Sequence, residues 1–135
     1  MNGTHFTGCK GDDINEWYPQ IEQMVASALA HGTSRVTAED VFLDLQTGRK
    51  QAWIAWNEGV EALVVTELLD TTDGRMCSIF ICTGEGRDRW LSHIATIEAW
   101  AKEEGCTRME AWARPGWERI LKDYKKTHVQ LEKRI

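Results

Sequence analysis

Residues 76–112 constrain this chain more than any other stretch. An apolar run from Met76 to Cys82 meets Thr83-Gly84-Glu85-Gly86-Arg87-Asp88. An amphipathic segment, Arg89 to Glu104, follows and is stopped by Gly105, after which Met109 to Trp112 forms a second apolar run. The spacing reads as strand, glycine turn, helix and strand. Within the helix, Trp90, Leu91, Ile94, Ile97 and Ala101 make one apolar stripe. A helix of that length carries the chain across a sheet face to a neighbouring parallel strand. A glycine turn feeding a helix N-terminus also aims backbone N–H groups outward, the arrangement that grips phosphate.

The flanking segments extend this pattern. Residues 1–14 are polar and read as a lead-in arm or irregular strand. Trp17 to Ala30 repeats apolar residues at helical spacing and ends at His31-Gly32. Thr37-Ala38-Glu39-Asp40 has the form of a helix start with an acidic first turn; Val41, Phe42 and Leu45 give its apolar side, and Gly48 stops it. From Gln51 the period changes. Ala52 to Trp56 reads as a strand, Asn57-Glu58-Gly59 as a tight turn, and Val60 to Leu69 as a second, longer strand. Asp70 to Gly74 is another turn, which makes Met76 to Cys82 the third strand of a meander. Late in the chain, Arg114-Pro115-Gly116 opens a short helix containing Trp117, Ile120 and Leu121, and Thr127 to Ile135 closes as a strand. The predicted order is α-α-β-β-β-α-β-α-β. That is an α+β (mixed α/β) fold: an antiparallel meander, a crossover helix and a central mixed sheet, in a single domain over residues 1–135.

Composition narrows the function classes. With 135 residues, 42% of them hydrophobic, and seven tryptophans, the chain can bury one sizeable core. Its net charge is −5 and it has no lysine–arginine run, which argues against a nucleic-acid groove. No apolar run reaches the roughly 18 residues of a membrane span, and the polar N-terminus lacks a signal-peptide core, so a protein neither secreted nor transmembrane is expected. The cysteines at 9, 77, 82 and 106 form no Cys-x-x-Cys pair and are expected as buried free thiols of a reducing compartment. His5 and Cys9, beside Asp12 and Asp13, supply too few well-spaced ligands for a structural zinc, so no metal is expected. Cys82 has no neighbour placed by sequence to activate it, and no Ser-His-Asp order or Walker-type loop occurs. Trp53 and Trp56 lie three apart on a strand and face opposite sides, one in the core and the other exposed or covered by a partner.

In element order, from roughly Trp17 to Ile135, the chain resembles the GNAT (GCN5-related N-acetyltransferase) superfamily. The resemblance implies an acyl-CoA-dependent N-acyltransferase using acetyl-CoA. The backbone of Ile81, Cys82 and Thr83 would pair with the pantetheine arm, and Gly84, Glu85, Gly86, Arg87, Asp88 and Arg89 would receive the pyrophosphate. Against the family's Q/R-x-x-G-x-G/A loop, Gly86 matches the first glycine, while Thr83 replaces the basic or amide residue and Asp88 the final small one. Asp88 is a good N-cap whose carboxylate competes for the N–H groups a phosphate needs, with Arg87 and Arg89 flanking it.

The family's general-acid tyrosine falls near Leu121 here, which leaves Tyr124, one turn later, as the candidate acid. The base candidates are Glu67 and Glu61 on the second strand, Ser78 on the third, and Glu110 after the long helix, although charged strand residues more often face solvent. Small GNAT-like proteins encoded by bacteriophages are similar from Ile94-Ala-Thr-Ile-Glu-Ala-Trp-Ala-Lys-Glu-Glu-Gly-Cys106 to Leu131-Glu-Lys133. That likeness implies host cytoplasm or packaging in a virion as the location. It also raises an alternative: a non-catalytic virion or assembly protein that contacts other phage structural proteins, or itself, in place of a small amine or protein substrate.

Overall fold

A computed structural model of the chain describes residues 4–30, 36–84, 92–111, 121, 123–127, 131 and 133–135. The elements are β1 (His5–Cys9), a 3-10 turn at Gly11–Asp13, α1 (Ile14–Ala30), α2 (Ala38–Gln46), β2 (Lys50–Trp56), β3 (Val60–Thr71), β4 (Gly74–Gly84), α3 (His93–Glu103) and β5 (Cys106–Ala111). They build one five-stranded sheet in the order β1-β2-β3-β4-β5. All neighbours are antiparallel except β4 and β5, which run parallel because α3 carries the chain over one face between them. The meander and the crossover stand as the sequence predicts.

Helix α2 shows how local the start signals are. Thr37 Oγ1 accepts from the Asp40 N–H at 3.1 Å while the Thr37 N–H donates to Asp40 Oδ2 at 3.0 Å, a reciprocal capping box. Those bonds hold the Asp40 carboxyl below its ordinary range. Gly48 ends the helical region at φ +81°, a left-handed conformation that glycine adopts without steric cost.

Of the two alternatives for residues 1–14, arm or irregular strand, the strand holds over His5–Cys9: it is an edge strand paired with β2 from His5↔Trp56 to Cys9↔Ala52. Helix α1 begins at Ile14 rather than Trp17, which places Pro19 inside the helix instead of at its start. The long crossover helix is described from His93; its expected first residues 89–91 and the short helix from 114 to 120 lie outside the described residues, as do 128–130 and 132 of the expected closing strand, whose described residues 127, 131 and 133–135 are in no strand.

Side chains alternate across the sheet into two cores. On one face Ile14, Ile21 and Val25 of α1, with Val41 and Leu45 of α2, pack on Ala52, Ile54, Leu63, Val65 and Ile81. On the other, Ile94, Ile97 and Ala101 of α3 pack on Trp53, Ala55, Ala62, Val64, Cys77 and Ile79. Trp53 and Trp56 do face opposite ways. Trp53 lies between Phe6 and Trp100 on the α3 face, with ring centroids 5.8 and 5.1 Å away, while Trp56 is half-buried and covered from within the chain by His5 and Trp17. All four cysteines are free thiols, and burial pushes Cys9 up to about 11 and Cys77 up to about 12. No described helix is long and apolar enough to cross a membrane.

Candidate functional site

Strand β4 is held unequally along its two halves. On one side β3 pairs with it throughout, from Thr71↔Gly74 to Ala62↔Gly84. On the other, β5 pairs only from Arg75↔Cys106 to Ile79↔Ala111. Beyond the last described pair with β5, Ile79↔Ala111, β4 bulges: Thr66 faces Ile79 and Val65 faces Ile81, so Phe80 is an extra residue. A bulge bends and twists its strand. Among the described residues, Phe80 to Gly84 therefore has a strand neighbour on the β3 side alone. The opposite edge offers backbone donors and acceptors to an extended ligand.

Ile81, Cys82, Thr83 and Gly84, four of the residues the resemblance assigns to cofactor binding, lie on this open stretch; Glu85, Gly86, Arg87, Asp88 and Arg89 lie outside the described residues. Gly84 has a structural requirement of its own. Its φ is +142°, and a Cβ there would come within 2.4 Å of Ala62 Cα and of the Glu61 carbonyl oxygen. Only glycine lets β4 leave the sheet so close to β3. Sequence comparison singles out Gly86 instead, because nothing local to Gly84 announces the contact with β3.

The base candidates fall into two places. Lys50, Glu67, Ser78 and Glu110 are successive register partners across β2, β3, β4 and β5, one row on the face covered by α1 and α2. Lys50, with a side chain 8% exposed, donates to Glu67 Oε1 at 3.0 Å and to Asp44 Oδ2 of α2 at 2.9 Å. Its ammonium lies 5.2 Å from the ring centre of Phe80, the bulged residue. Burial disfavours the charge on Lys50, but the bonds and attraction of Asp44 and Glu67 outweigh it and hold the lysine above its ordinary value. Ser78, 4% exposed, donates to Glu110 Oε2 at 2.9 Å. The row thus runs from α2 to the last pairs of the β4–β5 ladder. Glu61 is not part of it: that residue lies near the opposite end of β3 and accepts from Thr4 Oγ1 at 2.9 Å.

Tyr124 is on the other face. Its hydroxyl donates to Glu98 Oε2 of α3 at 2.6 Å. Burial first, then the bond to Glu98 and the nearby Cys77 and Cys82 thiols, push the phenol well above its usual range. The sheet separates Tyr124 from Glu67 and Glu110. Leu121, near the family's tyrosine position, packs against the α3-side core. Cys82 is pushed up to about 12 by burial, so its thiol keeps its proton. No group of three or more residues able to hold a metal occurs among the described residues.

Lys50 escapes the sequence reading altogether. Counting outward from the Asn57-Glu58-Gly59 turn would have placed it near Glu67, though the bulge between Ala55 and Trp56 shifts that count by one.

Neither a family model nor a curated protein matches the sequence. Solved structures do. An aminoglycoside acetyltransferase from an uncultured soil metagenomic sample, in complex with sisomicin, superposes with a TM-score of 0.71 at 11% identity, covering 98% of this chain and 96% of that one. The ribosomal-protein-alanine N-acetyltransferase of Brucella melitensis biovar Abortus 2308 gives 0.66 at 16% identity, covering 98% and 99%. Glucosamine-6-phosphate N-acetyltransferase from Arabidopsis thaliana gives 0.67 at 14%, covering 96% and 98%. At such identities the likeness is one of fold.

Proposed function

We propose that this chain, whose fold is that of the GNAT acetyltransferases, moves an acyl group from acyl-CoA to a primary amine. The observation that carries this reading is the edge of β4 at Phe80–Gly84, which among the described residues has a strand neighbour on the β3 side alone. An extended, amide-bearing ligand arm fits such an edge, because its polar groups replace a missing strand. Acetyl-CoA would supply the activated thioester there, with the backbone of Ile81 to Thr83 holding the pantetheine arm and the segment from Gly84 to Arg89 receiving the pyrophosphate.

In this reading the chain's own groups divide the work. Glu110, one residue before the last described pair of β4 with β5, accepts the proton that the attacking amine sheds. Glu67 is already engaged by the Lys50 ammonium and serves to hold that ion pair. Glu61 is remote from the row and stays structural. Tyr124 ties the C-terminal segment to α3 and keeps its own proton. A phenol held so far above its usual range is a weaker acid than the thiol it would have to form.

The test is titration with acetyl-CoA by calorimetry and thermal shift, followed by CoA release with a panel of amines. Binding at micromolar concentration is expected. Glu110→Gln is expected to keep that binding while lowering kcat by about a hundredfold or more. No heat and no shift at high micromolar acetyl-CoA would overturn the assignment.

One observation favours a second reading. Leu121 packs against the α3-side core and has no proton to give, and the Tyr124 hydroxyl is engaged by Glu98, so the described residues present no ready acid. A non-catalytic GNAT-like component of a bacteriophage particle, or of its assembly, would need none. It would be found in purified particles and would ignore acetyl-CoA.

A further inference from the structure

We infer that Ser78 is a positioning residue for Glu110, and that Lys50 makes this possible by satisfying Glu67. The inference rests on Glu110 being the base, and it turns on a competition for one proton. Ser78 stands between two carboxylates: Glu67 is its register partner on β3 and Glu110 its partner on β5. Directly paired strand residues bring their Cβ atoms to about 5 Å, so a serine hydroxyl reaches either neighbour. It has a single proton to give. That proton goes to Glu110 Oε2 at 2.9 Å.

The reason lies two strands away. The Lys50 ammonium, nearly buried, donates to Glu67 at 3.0 Å and to Asp44 at 2.9 Å. A charged donor forms the stronger bond, so Glu67 is served by lysine and leaves the hydroxyl to Glu110. Phe80 lies over the ammonium and walls the row on the side of the bulge. Glutamate loses rotamer entropy when one geometry is imposed on it. Ser78, buried to 4% exposure on the paired half of β4, imposes that geometry from a rigid part of the sheet. The consequence is a coupling from α2 to β5 through four side chains that the sequence scatters widely.

Two measurements test this. The first is acetyl-transfer kinetics of Ser78→Ala, Ser78→Thr and Lys50→Met. Ser78→Ala is expected to lower kcat about tenfold with unchanged KM for acetyl-CoA, as for a base displaced rather than removed. Ser78→Thr, which keeps the hydroxyl, is expected to recover to within about threefold. In a Lys50→Met background, where Glu67 competes for the hydroxyl, adding Ser78→Ala is expected to cost less than about threefold.

The second measurement needs no activity: a urea-unfolding cycle on Ser78→Ala and Glu110→Ala, expected to show about fivefold coupling in the folding equilibrium. Full kcat in Ser78→Ala, or an additive cycle, overturns the inference. If Ser78→Ala is fully active while Glu110→Gln is dead, the positioning role alone falls and the base assignment stands. If Glu110→Gln turns over like the wild type, the base assignment falls, and the cycle still decides whether Ser78 holds Glu110.

Discussion

Two buried polar sets lie back to back on this sheet. On the α3 face, Trp53 Nε1 donates to Thr66 Oγ1 at 3.0 Å, Thr66 donates to Gln51 Oε1 at 2.8 Å, and Gln51 Nε2 donates to the Gly48 carbonyl at 3.4 Å. On the α1/α2 face, Asp44, Lys50, Glu67, Ser78 and Glu110 form the charged row. Among the described residues neither face leaves a buried polar side-chain atom without a partner. The difference is in what each set contains and where it ends. The neutral set closes on a backbone carbonyl in the turn before β2, and every bond in it holds strands and turn together. The charged row ends on a carboxylate one residue before the last described pair of β4 with β5. Satisfied polarity inside a core is ordinary. A buried row of charged groups is the arrangement to examine for chemistry.

This contrast can be broken at three points beyond those already named. The largest effect is expected from Lys50→Met, which strands Asp44 and Glu67, whose side chains are only 25% exposed. Urea unfolding at neutral pH should show a loss of about 2–4 kcal/mol. The pH dependence has a definite sign. The folded lysine lies above its ordinary 10.5, so its contribution is complete below that value and fades as pH rises through the raised one. The gap between wild type and variant should therefore be constant at pH 7–9 and shrink in strong alkali. A gap that persists unchanged there would mean that the methionine packs badly rather than that the ion pairs matter.

Thr66→Val comes next. It keeps the side-chain shape but strands the Trp53 N–H and the Gln51 carbonyl, for a loss of about 1–3 kcal/mol, and Thr66→Ser should recover most of it. Acetyl-CoA titration should be unaffected; a change in binding would erase the distinction between the two faces. Tyr124→Phe is the smallest. It removes the bond to Glu98 for about 1 kcal/mol and should lower kcat by less than about threefold. A hundredfold fall would instead make Tyr124 the general acid and join the two faces in one mechanism.

Much of the architecture is legible because its signals are local. Thr37 and Asp40 are three residues apart and cap α2 by bonding each other. The Asn57-Glu58-Gly59 turn and the stripe from Ile94 to Ala101 likewise act within their own neighbourhoods. The edge strand β1 is harder to read, since only Phe6 and Cys9 of its residues join an apolar cluster. Pro19 sits inside α1, a helix held by its packing, although prolines favour helix starts. Of the candidate site, the residue types are visible in the sequence and their grouping is not. Glu67, Ser78 and Glu110 appear there as separate candidates beside Glu61, and Lys50 does not appear at all.

By itself, then, the sequence determined the meander, the crossover helix, the capped α2 and the free thiols, all of which depend on periodicity and on contacts a few residues apart. The tertiary structure decided the rest. Lys50 meets Glu67 across 17 residues of chain and Ser78 meets Glu110 across 32. Strand register brings them together, and register depends on bulges, on hairpin geometry and on which face is buried, none of which is local to the residues it aligns. The same holds for the bulge in β4, where one extra residue, Phe80, lies opposite β3.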